Sequence, residues 1–287
     1  MNRVLTPELS YGSRGPRLHF AHANGYPPLA YQPLLMSLAA VCQVRAMLQR
    51  PLWPASDPQR LQDWRLLAED LMHYLQSQPD GKWIGAGHSV GANATLRTAL
   101  WQPDLFRALI LIDPVLFPPW MTPVQDLLFK LGLASRLHPM ARGALRRRME
   151  FDNQKAMFEN YRRKSVFARL DDQALQAYVD ALAQPANDGR VQLSYPPAWE
   201  SRIYVTAARA DLEIWRKLPD LKLPVLVLRG EMTDTFWERT AARFQRMLPQ
   251  AEIHTIPESG HLLPLERPQA VARQMIAFLQ ENTSFEV

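Results

Sequence analysis

Cysteine occurs once in the 287 residues, at Cys42. A lone cysteine excludes an internal disulfide and a cysteine-based metal cluster. Its apolar surroundings, Val41 to Leu48, mark it as a core residue. Long hydrophobic runs are also missing: no stretch reaches the roughly 18 uninterrupted apolar residues that a membrane-spanning helix needs. The opening residues, Met1-Asn2-Arg3-Val4-Leu5-Thr6-Pro7, lack the apolar core of a secretory signal, so a cytoplasmic location is the expectation. Lysine is sparse, and the net charge of +5 is carried mostly by arginine spread along the chain. Only Arg142, Arg146, Arg147 and Arg148 cluster. No aromatic platform for bases adjoins them, so they read as a solvated helix face and no nucleic-acid partner is expected. Internal repeats and low-complexity tracts are absent.

What is present suffices for a full globular core, since 47% of the residues are hydrophobic. Short apolar runs alternate with helical spacing. Strands are expected at Arg17 to Ala21, Val41 to Leu48, Lys82 to Ala86 and Ala108 to Ile112, and again at Leu223 to Leu228 and Glu252 to Ile256. Helices are expected between them, among them Leu61 to Gln76, whose Leu61, Trp64, Leu67, Leu71 and Leu75 share one stripe. Near-continuous apolar strands alternating with helices argue for an α/β fold with a parallel sheet covered on both faces. The rhythm breaks between Val115 and about Arg216. That segment shows helical patterns and one weak strand candidate, Ile203 to Thr206, between proline-rich joints. It reads as a helical cap (115–216) inserted into a core made of 1–114 and 217–287, over the carboxyl edge of the sheet where such folds bind ligands.

The densest chemical signal is Gly87-His88-Ser89-Val90-Gly91, between an apolar run and a helix-compatible stretch. G-x-S-x-G at a strand-to-helix joint is a nucleophile elbow, a sharp turn that presents the serine hydroxyl at the sheet edge. Side chains at Gly87 and Gly91 would collide where strand and helix nearly touch. The helix start aims unpaired N–H groups and the positive end of its dipole at the serine. A serine hydroxyl needs an imidazole to take its proton, and a carboxylate must hold that imidazole in the correct tautomer. His261 follows the last expected strand, and Gly260 before it allows a loop that swings the ring toward Ser89. His88, one residue from the serine, points elsewhere, and His19, His73 and His138 have no supporting context.

The elbow, the loop Asn24-Gly25-Tyr26-Pro27 after an early strand and the late Gly260-His261 together resemble the α/β-hydrolase superfamily, specifically its serine esterase and lipase-like members with a helical cap. The match covers roughly residues 17–114 and 222–280; the leading hairpin usual in that superfamily is shortened or partly missing. The resemblance implies the chain order Ser, acid, His, and a carboxylate in the loop after the strand Leu223 to Leu228, which is Asp234. Glu231 lies nearer that strand, and Asp113 ends the preceding strand, a position from which some members draw their acid; Asp113-Pro114 also reads as a simple strand terminator. The oxyanion donors implied are the N–H groups of Val90 and Tyr26, with Asn24 in the place of the usual histidine.

The expected function is a cofactor-free serine hydrolase, holding no metal, that cleaves a small-molecule ester or related acyl bond through an acyl-enzyme on Ser89. The cap supplies apolar residues such as Trp120, Met157, Phe158 and Tyr161, which favours a fairly apolar substrate. Carbon–carbon bond hydrolysis or cofactor-free perhydrolysis would use the same triad. Epoxide hydrolysis and dehalogenation need an aspartate where Ser89 stands. A non-catalytic ligand-binding protein on this fold is disfavoured because all three triad members are in place.

Overall fold

A computed structural model describes residues 6–79, 81–186 and 188–282. Met1 to Leu5, most of the stretch read for a secretory signal, lie outside the described residues. Seven strands form the main sheet: β1 (Glu8–Tyr11), β2 (Arg17–Ala21), β3 (Gln43–Met47), β4 (Trp83–His88) and β5 (Phe106–Ile112), and after a long intervening segment two more. The intervening segment holds β6 (Glu150–Phe151), β7 (Ala183–Pro185) and β8 (Val191–Leu193), and the main sheet resumes with β9 (Val225–Gly230) and β10 (Glu252–Ile256). The order across the main sheet is β1-β3-β2-β4-β5-β9-β10. Every neighbouring pair runs parallel except β1 with β3. Among the described residues, β1 is the one antiparallel strand at the leading end, where a hairpin shortened or partly missing was expected.

Alternation along the central strands feeds two separate cores. Ile110, Ile112, Leu226 and Leu228 face one side, with Leu34, Leu35 and Leu38 and with Val271, Met275 and Phe278 of two covering helices. Leu109, Leu111, Val225 and Val227 face the other, with Leu71, Leu75, Leu96 and Phe244. Strands buried on both faces carry apolar residues at nearly every position, which is why these runs read as continuous. β4 is buried throughout and sits at the centre of the sheet, between β2 and β5.

Between β5 and β9 the chain forms mostly helices, as expected, but also the small antiparallel sheet β6-β8-β7. The strand candidate Ile203 to Thr206 is helical, inside Pro197–Thr206. Its β-branched residues Ile203, Val205 and Thr206 are buried there by packing, which overrides their local strand preference. The helix Asp211–Lys217 closes this segment and packs into the main body, where Ile214 and Trp215 join the core shared with Leu96 and Leu116. Asp211 ties both ends of the segment to the helix Val90–Trp101. Its carboxylate accepts from Asn93 Nδ2 at 3.1 Å and from the N–H of Phe117 at 3.0 Å, and it pairs with the buried Arg97 at 3.4 Å.

Candidate active site

β4 ends against the helix Val90–Trp101, with Ser89 alone between them. Ser89 adopts φ 59° and ψ −122°, a left-handed backbone that non-glycine residues rarely hold. Three hydrogen bonds fix it there. Its N–H donates to the Ile112 carbonyl at 3.0 Å, and its carbonyl accepts from Asn93 at 3.2 Å and Val115 at 3.3 Å. The flanking glycines are steric necessities. A Cβ at Gly91 would lie 2.2 Å from the Ala21 carbonyl oxygen, and one at Gly87 would lie 2.6 Å from the Gly91 backbone.

His261 arrives from the loop after β10. Its Nε2 is 3.0 Å from Ser89 Oγ, and its Nδ1 is 2.6 Å from Asp113 Oδ2. Asp113 follows β5 directly, is fully buried and turns the chain at φ 40°. Its carboxylate also accepts from Thr233 Oγ1 at 2.5 Å and from the Gly230 N–H at 3.3 Å. The carboxylate can only accept, so His261 donates through Nδ1 and presents a bare Nε2 to the serine hydroxyl. Close approach of the β9 and β10 loops makes this possible. A Cβ at Gly230 would stand 2.3 Å from the Gly260 carbonyl oxygen, and Met232 N–H donates to Ser259 at 2.9 Å.

His88 supports the same loop from beneath. Its Nε2 donates to the His261 carbonyl at 2.8 Å, and its Nδ1 accepts from Tyr31 OH at 2.8 Å. The Tyr31 oxygen in turn accepts the Ala23 N–H at 3.2 Å. Burial, and then the nearby charge of His261, push the His88 pKa well below the ordinary histidine value, so the ring is a neutral strut. A buried line of hydrogen bonds therefore joins the His261 loop to the loop after β2.

That second loop, His22 to Pro28, is braced on both sides. His22 Nε2 accepts the Gln49 N–H at 3.0 Å, while burial lowers its pKa to about 4. Asn24 Nδ2 donates to the Glu200 carbonyl at 3.0 Å, and Asn24 Oδ1 accepts from Tyr195 OH at 3.1 Å. Above Gly25, which sits at φ 79°, Arg147 and Glu200 form a buried ion pair. Arg147 also donates to Tyr161 OH at 2.7 Å and Tyr178 OH at 3.0 Å. The Tyr26 ring packs on Tyr178, with centroids 5.0 Å apart.

Residues 4–274 match the Alpha/beta hydrolase family, nearly the whole chain. This chain belongs to the α/β-hydrolase family. Similar to it is the 2-(acetamidomethylene)succinate hydrolase of Mesorhizobium japonicum, 23% identical over 268 residues, spanning 92% of this chain and 88% of the relative. The esterase YbfF of Escherichia coli is 23% identical over 215 residues, spanning 75% of this chain and 74% of its own. Among solved structures, that of E-2-(acetamidomethylene)succinate hydrolase superposes with a TM-score of 0.75 at 23% identity, covering 95% of this chain and 94% of the other.

In this α/β hydrolase the structure brings Ser89 and His261 together and leaves Asp234 apart. Asp234 is exposed, and its carboxylate accepts from Thr235 Oγ1 at 3.2 Å. Thr233 takes the inward position of that loop, against Asp113, and the next residue turns outward. Glu231 is exposed too and accepts the Glu258 N–H at 2.9 Å. The expectation that Asp234 orients His261 is thus corrected to Asp113, the candidate that had also read as a strand terminator. Tyr26 needs a second correction: its N–H donates to the Ala23 carbonyl at 3.2 Å, closing a turn. Asn24 N–H has no hydrogen-bond acceptor among the described residues. Val90 opens its helix, where an N–H has no intrahelical acceptor. Of the arginine cluster, Arg142, Arg146 and Arg148 are exposed, but Arg147 turns inward to Glu200.

Proposed function

We propose that this α/β hydrolase is a serine esterase that cleaves small, fairly apolar carboxylic esters through an acyl-enzyme on Ser89. The observation that carries this reading is the unbroken relay Ser89 Oγ, His261 Nε2, His261 Nδ1, Asp113 Oδ2, at 3.0 Å and 2.6 Å. Ser89 Oγ attacks the ester carbonyl while its proton passes to His261 Nε2, and Asp113 stabilises the imidazolium that forms. The carbonyl oxygen becomes an oxyanion, for which the N–H groups of Val90 and Asn24 are the donors the two loops leave free. Collapse of the tetrahedral species expels the alkoxide, which takes the proton from His261. Water then attacks the acyl-enzyme, giving its proton to His261, and the acid leaves as Ser89 recovers its own.

Of the segment 115–216 expected to form a cap, residues 115–210 act as one in this reading, because the helix Asp211–Lys217 packs into the main body. Phe167 and Tyr178 pack against Tyr26 at the loop beside the serine, with Tyr161 behind them against Tyr178, which favours an apolar acyl group over a sugar or peptide. Trp120 has no part in that wall, since it faces solvent. The test is hydrolysis of p-nitrophenyl esters of rising acyl length. Each buried methylene contributes about 0.8 kcal/mol, so kcat/KM should rise up to about fourfold per CH₂ until the pocket is full. No turnover of any ester, or equal turnover by Ser89→Ala, would contradict the proposal.

A further inference from the structure

Large apolar side chains that face water are concentrated in one part of this molecule. Trp120, Val124, Leu127 and Leu131 are 66%, 47%, 58% and 61% exposed. They recur at i, i+4, i+7 and i+11, one stripe along the helix Met121–Lys130 and its flanks. The opposite face of that helix is already used. Leu128 and Phe129 pack against Ala134, Ala141 and Val205, and Asp126 holds Arg209 at 2.6 Å. Leu137 and Met140, on the two short helices that follow, add further exposed apolar surface. A solvent-facing apolar stripe on an anchored helix marks an interaction surface.

The charge around it says what it meets. Arg136, Arg142, Arg146 and Arg148 are exposed and make no ion pair among the described residues. Asp126 is the only acid between Pro114 and Met149, and Lys130 and Arg209 both neutralise it. A second copy docking by the same face would set arginine near arginine across the two-fold axis. A bilayer with anionic headgroups takes both features at once: tryptophan and aliphatic side chains enter the headgroup–acyl boundary while arginines meet phosphates.

We propose that the face formed by Trp120, Val124, Leu127, Leu131, Leu137 and Met140 docks on an anionic lipid surface. This is peripheral contact: no helix among the described residues is long and apolar enough to cross a membrane. It is independent of the chemistry at Ser89. The test is co-sedimentation of the full chain with phosphatidylcholine vesicles, with and without phosphatidylserine. Binding should be several-fold greater with phosphatidylserine and should weaken as salt is added. Trp120→Ser with Leu127→Ser and Leu131→Ser should cut it by at least about tenfold. Arg136→Gln with Arg142→Gln and Arg146→Gln should remove the preference for phosphatidylserine. A folded protein that sediments with neither vesicle overturns the proposal, as does vesicle binding that the serine triple leaves unchanged. Concentration-dependent dimerisation lost in that triple, without vesicle binding, would assign the face to a second copy instead.

Discussion

A carboxylate at position 113 must offset the cost of losing water, because its side chain is fully buried. Three donors do so: the Gly230 N–H, Thr233 Oγ1 and His261 Nδ1. Asp234 has solvent and one neighbouring hydroxyl. Asp113→Asn should therefore lower kcat by up to about 10⁴-fold, since an amide can donate to Nδ1 and so select the wrong tautomer. Asp234→Asn should stay within about twofold of wild type, as an exposed substitution away from the relay. Steady-state kinetics on one ester decides between them; near-normal kcat in Asp113→Asn would contradict the relay. Ser89 was legible in the sequence because its flanking glycines have a steric reason visible in the motif. His261 was legible from its position after the last strand. Asp113 was harder to read, since Asp-Pro after an apolar run also describes an ordinary strand end. His88 was missed as a strut because its partners, Tyr31 and the His261 carbonyl, lie far away in the chain.

At the scale of elements, the loop after β2 is held from above by the segment between β5 and β9. Arg147 and Glu200 are both largely buried, and Glu200 also supplies its carbonyl to Asn24. Removing one member of such a pair strands the other charge. Glu200→Gln is expected to cost about 3 kcal/mol in urea unfolding, and Arg147→Met combined with Glu200→Leu to recover most of that loss. A Glu200→Gln protein as stable as wild type would contradict this account of the pair. Strand and helix positions in the main body were readable because local periodicity and burial agree there. The segment between β5 and β9 is less legible in the sequence. Ile203 to Thr206 has strand-forming side chains in a helix, and β6, β7 and β8 are too short to show a period.

For the whole molecule, buried histidines make acid the weak point. Burial, reinforced by His22, lowers the His19 pKa to about 3, and neither ring nitrogen has a hydrogen-bond partner among the described residues. Burial lowers that of His22 to about 4. The unfolded chain binds these protons near the ordinary value of about 6.5, the folded chain only far below it. Their stabilising contribution is thus complete above about pH 6.5 and is lost as pH falls toward about 4 and then 3. His19→Phe should flatten the decline in melting temperature between about pH 7 and about pH 4 while keeping neutral-pH stability, because a phenyl ring leaves no polar atom unpaired. A decline parallel to wild type would show that His19 takes up no proton on unfolding.

The same sheet gathers Ser89, Asp113 and His261 from the ends of β4 and β5 and the loop after β10, the arrangement on which the proposed chemistry depends. Intact-protein mass spectrometry after treatment with a fluorophosphonate, followed by peptide mapping, tests it most directly. One adduct per chain is expected on Ser89, none in Ser89→Ala, and much slower labelling in Asp113→Asn than in Asp234→Asn. An adduct on another residue, or labelling that persists in folded Ser89→Ala, would contradict it.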